Sequence, residues 1–123
     1  MILDLHHAQI TVPKGAEDEA RTFFCGHLGL REIAKPAPLA SRGGFWLALD
    51  TGTEIHIGVE VGFDRRKTKA HLAFEVDDLA AMRVRIQGLG LEISDGEPVP
   101  GLIRFEFRDP FGNRMEFVQR TDS

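Results

Sequence analysis

The stretch "AHLAFEVDDLAAMRVRIQGLG" (70–90) changes period halfway along. Up to Val76 its apolar residues alternate (Leu72, Phe74, Val76), which is the two-residue period of a half-buried strand. Beyond it, Leu79, Met82, Ile86 and Leu89 recur at helical intervals. The spacing therefore predicts a helix over 77–90, with Asp77 as N-cap and Gly90 at its end. On the strand, His71 points away from the apolar face.

Working outward, the same change of period occurs once before. "HHAQITV" (6–12) alternates, and "AEDEARTFFCGHLG" (16–29) repeats Ala16, Ala20, Phe23, Phe24 and Leu28 at helical spacing, with acidic residues first and Gly29 last. Three short strand candidates follow each helix: "LREIA" (30–34), "GFWLAL" (44–49) and "TEIHIGV" (53–59), then "LEIS" (91–94), "LIRFEF" (102–107) and "NRMEFV" (113–118). The order is βαβββ twice, an α+β class. We read one domain over 1–123, with module 1 at about 5–60, module 2 at about 69–119 and a linker at 61–68. His71 lies 64 positions after His7, Gly90 61 after Gly29, and Glu116 60 after His56. The offset shrinks where the first half carries the extra "PKG" (13–15), as two diverged copies of one unit require.

Composition bounds the function. No run of 18 apolar residues exists, so no membrane span is expected. The start, "MILDLHH", lacks the pattern of a secretory signal, and the single cysteine, Cys25, allows no internal disulfide. A reducing cytoplasm is the expectation. A net charge of -4 argues against a nucleic-acid partner. The basic run "DRRKTK" (64–69) reads as a solvated connector rather than a phosphate site.

Strand parity then selects a polar face. Ala8, Ile10 and Val12 share one face, leaving His7, Gln9 and Thr11 on the other. By the same reasoning His56 opposes Ile55 and Ile57, and Glu116 opposes Met115 and Phe117. A polar strand face usually just meets water. Three histidines and a glutamate in repeat register favour a divalent transition metal instead, since imidazole suits Zn, Ni, Fe and Cu and a carboxylate adds an anionic donor. His56 has a second reading, standing behind the metal and carrying a proton. Arg104 shares a face with Glu106 and Arg108 and is a candidate for holding an anionic substrate group. Phe45, Phe105 and Phe107 read as core. Cys25 reads as a buried inert thiol, His27 as a partner of the helix C-terminal dipole, and His6 as a helix-packed residue.

"HHAQITV", "ARTFFCGHLGLREI", "HLAFEVDDL" and above all "RDPFGNRMEFV" resemble, in order and spacing, the vicinal-oxygen-chelate superfamily. That superfamily groups glyoxalase I, bleomycin-resistance proteins, fosfomycin-modifying thiol transferases and extradiol dioxygenases. The resemblance implies sheets wrapped around a half-open, barrel-like cavity. It implies metal ligation by His7, His56, His71 and Glu116, substrate contact at Gln9, and pairing as a homodimer. The implied activity is a lyase or isomerase reaction on a small molecule with two vicinal oxygens. It would use Zn, Ni, Mn or Fe(II), with Glu116 or His56 moving the proton. An Fe(II) extradiol-type dioxygenase using His7, His71 and Glu116 is the alternative. A third reading is a non-catalytic dimer that sequesters a ligand against Trp46 and the phenylalanines, as bleomycin-resistance proteins do. Glyoxalase I enzymes generally carry glutamate where this chain has His56. Bleomycin-resistance proteins lack the ligand set, so its presence argues for catalysis.

Overall fold

A computed structural model describes residues 1–121. Chain contacts divide it into two compact units, Met1–Phe63 and a second that begins at Asp64. The first unit contains β1 (His7–Val12), α1 (Glu17–Arg21), β2 (Arg31–Ile33), β3 (Phe45–Ala48) and β4 (Glu54–Val59). The second contains β5 (His71–Glu75), α2 (Leu79–Gly88), β6 (Ile93–Ser94), β7 (Leu102–Arg108) and β8 (Arg114–Arg120). The expected α+β class with βαβββ twice is what the chain adopts. Among the described residues, no helix is long and apolar enough to cross a membrane.

Each unit holds one open four-stranded sheet, ordered β1-β4-β3-β2 in the first and β5-β8-β7-β6 in the second. The outer pairs β1–β4 and β5–β8 are parallel, and the remaining pairs are antiparallel. Duplication extends to register. Gln9 and Trp46 flank His56, and Ala73 and Glu106 flank Glu116 in the same places.

Alternation explains the packing. Phe45, Leu47, Ile55 and Ile57 are buried in the first sheet, as are Phe105, Phe107, Met115 and Phe117 in the second. Burying each such side chain is worth about 1.5–3 kcal/mol. α2 packs on β6, β7 and β8. The repeat also keeps a cation–π contact: Arg21 lies 4.6 Å over the Phe45 ring, and Arg83 lies 5.1 Å over Phe105.

Local details differ from expectation for identifiable reasons. The N-cap of α2 is Asp78, whose carboxylate accepts from the Ala81 N–H at 3.0 Å, and not Asp77. The Val76 N–H still bonds the Val118 carbonyl, so the chain leaves the sheet one residue later. α1 is short and continues as a π-helical stretch, Thr22–His27, in which the Leu28 N–H reaches back to the Phe23 carbonyl. The wider turn brings the successive side chains Phe23 and Phe24 closer on one face, and both are buried. Cys25 is half-buried rather than buried, and the burial it has raises its thiol pKa. His6 precedes β1 and is exposed instead of helix-packed. The basic run is more than a solvated connector: Arg65 is buried, and its carbonyl accepts from Arg108 Nη1 at 3.2 Å.

Candidate metal centre

The turn between β7 and β8 sets the register on which Glu116 depends. Asp109, Pro110, Phe111 and Gly112 form it, closed by the Gly112 N–H on the Asp109 carbonyl at 3.0 Å. The buried Asp109 carboxylate accepts from the N–H groups of Phe111 and Asn113 at 2.9 and 2.8 Å, and from Asn113 Nδ2 at 2.9 Å. β8 then starts with Met115 and Phe117 directed into the core and Glu116 on the opposite face.

Glu116 is buried to 8% exposure, so this polar face is not simply wet. Its Oε1 lies 3.1 Å from His71 Nε2, and its Oε2 accepts from Arg104 Nη1 at 3.0 Å. His71 Nδ1 sits 3.1 Å from the Lys69 carbonyl. The Lys69 carbonyl and an ionised Glu116 carboxylate are both acceptors, so a neutral ring, with its single N–H, can donate to only one of them. With the N–H on Nδ1, the Nε2 lone pair faces a carboxylate oxygen. The two repel unless a cation lies between them, either a second proton or a metal ion. A carbonyl that fixes the tautomer while Nε2 stays free is also how metal-binding imidazoles are held. His71 and Glu116 thus fit a divalent ion.

Glu106 lies close as well: one donor atom each of His71, Glu106 and Glu116 falls within 4.8 Å of the others. However, Arg114 Nη2 donates to both Glu106 oxygens at 2.7 and 2.9 Å, and Arg104 Nη1 approaches one of them at 3.3 Å. The Arg114 hydrogen bonds hold the Glu106 carboxyl below its ordinary range. Glu106 is therefore an anchor for two arginines, with little charge left for a metal.

In the first unit, the His56 ring is sandwiched. Trp46 stacks on it at 3.8 Å between centroids and 4° between planes, and His7 at 4.0 Å and 14°. β3 and β1 flank β4, so the two neighbours reach the ring from opposite sides. His56 Nε2 lies 2.9 Å from Glu54 Oε1, and this hydrogen bond lowers the Glu54 carboxyl pKa. With Nε2–H donated to the carboxylate, Nδ1 is left as the acceptor. His7 itself is exposed, with Nδ1 3.0 Å from His6 Nδ1, so one of those rings donates to the other. The exposed Gln9 lies with its side-chain amide over Gly58.

The structure thus brings His7 together with His56, and His71 with Glu116 and Arg104. Glu54, Glu106 and Arg114 were assigned no role from sequence. Two-residue parity puts Glu54 beside His56, and Glu106 beside Arg104, so the signal was present but did not name partners.

The model of the Glyoxalase/Bleomycin resistance protein/Dioxygenase superfamily matches residues 4–117. Among solved structures, a glyoxalase family protein from Bacillus anthracis is 40% identical, with 98% of each chain covered and a TM-score of 0.87. The fosfomycin resistance protein FosX from Listeria monocytogenes, solved with Mn(II) and sulfate, is 22% identical over 98% of this chain and 93% of its own, with a TM-score of 0.79. A glyoxalase/dioxygenase from Nostoc punctiforme is 20% identical over 97% and 92%, also at 0.79. A search of curated protein sequences gives no significant match.

Proposed function

Since the chain belongs to the glyoxalase/bleomycin resistance protein/dioxygenase superfamily, we propose that it is a metal-dependent enzyme acting on a small molecule with two adjacent oxygens, by lyase or isomerase chemistry. The observation that carries this reading is His71 Nε2 set 3.1 Å from Glu116 Oε1, with Nδ1 3.1 Å from a carbonyl, so that one ring faces two acceptors. The sequence resemblance adds His7, the counterpart of His71 in the repeat, to the donor set. Zn, Ni, Mn and Fe(II) all suit two imidazoles and a carboxylate. Mn(II), present in the FosX structure, is the first ion to try. A bound divalent ion supplies Lewis acidity to the oxygen pair of the substrate.

The chain's own groups do the rest. His56, with Nε2–H on Glu54, has Nδ1 free to take a proton from the substrate. Glu54 stabilises the imidazolium that results. Gln9, on the same strand face as His7, contacts the substrate.

His56 also supports a second reading. A ring already bonded to Glu54 and held between Trp46 and His7 is poorly placed to serve as a fourth donor. Without it, the donor set that the sequence resemblance implies reduces to His7, His71 and Glu116, the two-histidine, one-carboxylate type of non-haem Fe(II) oxygenases.

Elemental analysis of protein purified without chelator tests the proposal. Bound metal in the parent and its loss in His71→Ala are expected, whereas metal-free parent protein that also fails to take up Mn(II), Zn(II), Ni(II) or Fe(II) excludes it. Oxygen uptake with catechols would select the dioxygenase.

A further inference from the structure

We infer that Arg104 is a positioning residue that holds one oxygen of Glu116, and so fixes which oxygen Glu116 offers to a metal ion. The inference rests on the metal-binding reading above. It replaces the grip on a substrate anion that strand parity alone suggests for this arginine.

Arg104 has three of its five N–H donors committed. Nη1 reaches Glu116 Oε2 at 3.0 Å and Glu106 Oε1 at 3.3 Å, and Nη2 donates to the Glu97 carbonyl at 2.9 Å. These contacts fix the plane of the guanidinium. Its Nε is buried without a partner, the one such side-chain atom among the described residues. An orphaned buried donor is costly, so the charged contacts must hold the side chain there in spite of it. With Nε shielded and three of the four terminal N–H groups engaged, only one Nη2 N–H is left, too little for a forked grip on a substrate anion.

The need for such a holder follows from register. Glu106 and Glu116 are directly opposed across β7 and β8, and like charges in that relation repel. Arg104 Nη1 touches both carboxylates at once. Without it, Glu116 swings away from Glu106 and its Oε1 leaves His71. Arg114 holds Glu106 from the other side, which keeps Arg104 from being drawn off Glu116.

The sign of the effect separates positioning from simple electrostatics. Deleting a cation near a metal site strengthens metal binding if charge alone matters; deleting a positioning residue weakens it. Calorimetric titration of the full chain with Mn(II) reads this directly. Arg104→Met should weaken binding by about 10–100-fold, the usual loss when a group behind a metal ligand is removed. Arg104→Lys should recover part of it, because it restores the charge without the planar fork. Crystal structures of the metal-free parent and variant should show Glu116 Oε1 turned from His71 in the variant alone. Should Arg104→Met fail to fold, Arg104→Gln carries the same test, keeping a donor and losing the charge. Binding by the variant as tight as that of the parent, or tighter, overturns the role and leaves the functional reading intact. A parent that takes up no ion overturns both.

Discussion

Burial pushes the Asp109 carboxyl up from its ordinary range, while hydrogen bonds from Asn113, Phe111 and Gly112 pull it back. Because the folded-state pKa is raised, the favourable contribution is complete below the unfolded value, near 3.8, and is lost as the pH climbs through the folded value. Asp109→Asn removes the titration. The stability of the parent relative to this variant should therefore fall as pH rises above the unfolded value of 3.8, measured as a difference in melting temperature at each pH. A gap that widens in favour of the parent on the alkaline side would show that ionisation is not penalised at this site. Asp109→Ala is different in kind, since it strips acceptors from buried N–H groups, and a loss of about 1–3 kcal/mol is expected in urea melts. At this scale the sequence was only partly legible. The turn chemistry of Asp109-Pro110-Phe111-Gly112 identified the bend, and strand parity identified the faces of His7, His56, His71 and Glu116. Neither could show that Glu54 holds His56 or that Arg104 holds Glu116, because partner choice depends on strand register and side-chain rotamer.

Among elements, the hairpin of β3 and β4 is the least tolerant of change at its entry. Gly44 has φ of +89°, and a Cβ built there would fall 2.0 Å from the Ile57 carbonyl oxygen. Gly44→Ala must therefore shift backbone at the first ladder position, where Phe45 opposes Ile57. We expect a loss of more than about 1 kcal/mol, the range exceeded when alanine is forced into an incompatible conformation. The chain's one tryptophan, Trp46, lies two residues on and stacks on His56, so its fluorescence should change along with the melting temperature. A variant with the melting point and emission of the parent would refute this. All eight strands were legible to within a residue or two because alternation is a local property. The π-helical stretch was not, because it answers to the joint burial of Phe23 and Phe24. Nor was the cap on Asp78, because the preceding residue's place in the sheet decided it.

For the whole chain, duplication was the most legible feature, and the structure extends it beyond what spacing alone could tell. Position for position, Trp46 corresponds to Glu106, Glu54 to Arg114 and Gly44 to Arg104, so the two copies keep one backbone and differ in how they hold the last-strand residue. In the first copy a carboxylate two residues away on the same strand holds His56; in the second an arginine on the neighbouring strand holds Glu116. This divergence gives the halves unequal tasks. On the metal-binding reading, the second carries the carboxylate donor whose charge would attract an ion, while the first carries an imidazole already committed to Glu54. The carboxylate-bearing copy should then dominate ion uptake. Metal analysis against protein concentration should thus give one equivalent, lost in His71→Ala and retained in His56→Ala, which should abolish turnover. Two equivalents, one of them surviving His71→Ala, would mean that the first copy binds an ion of its own.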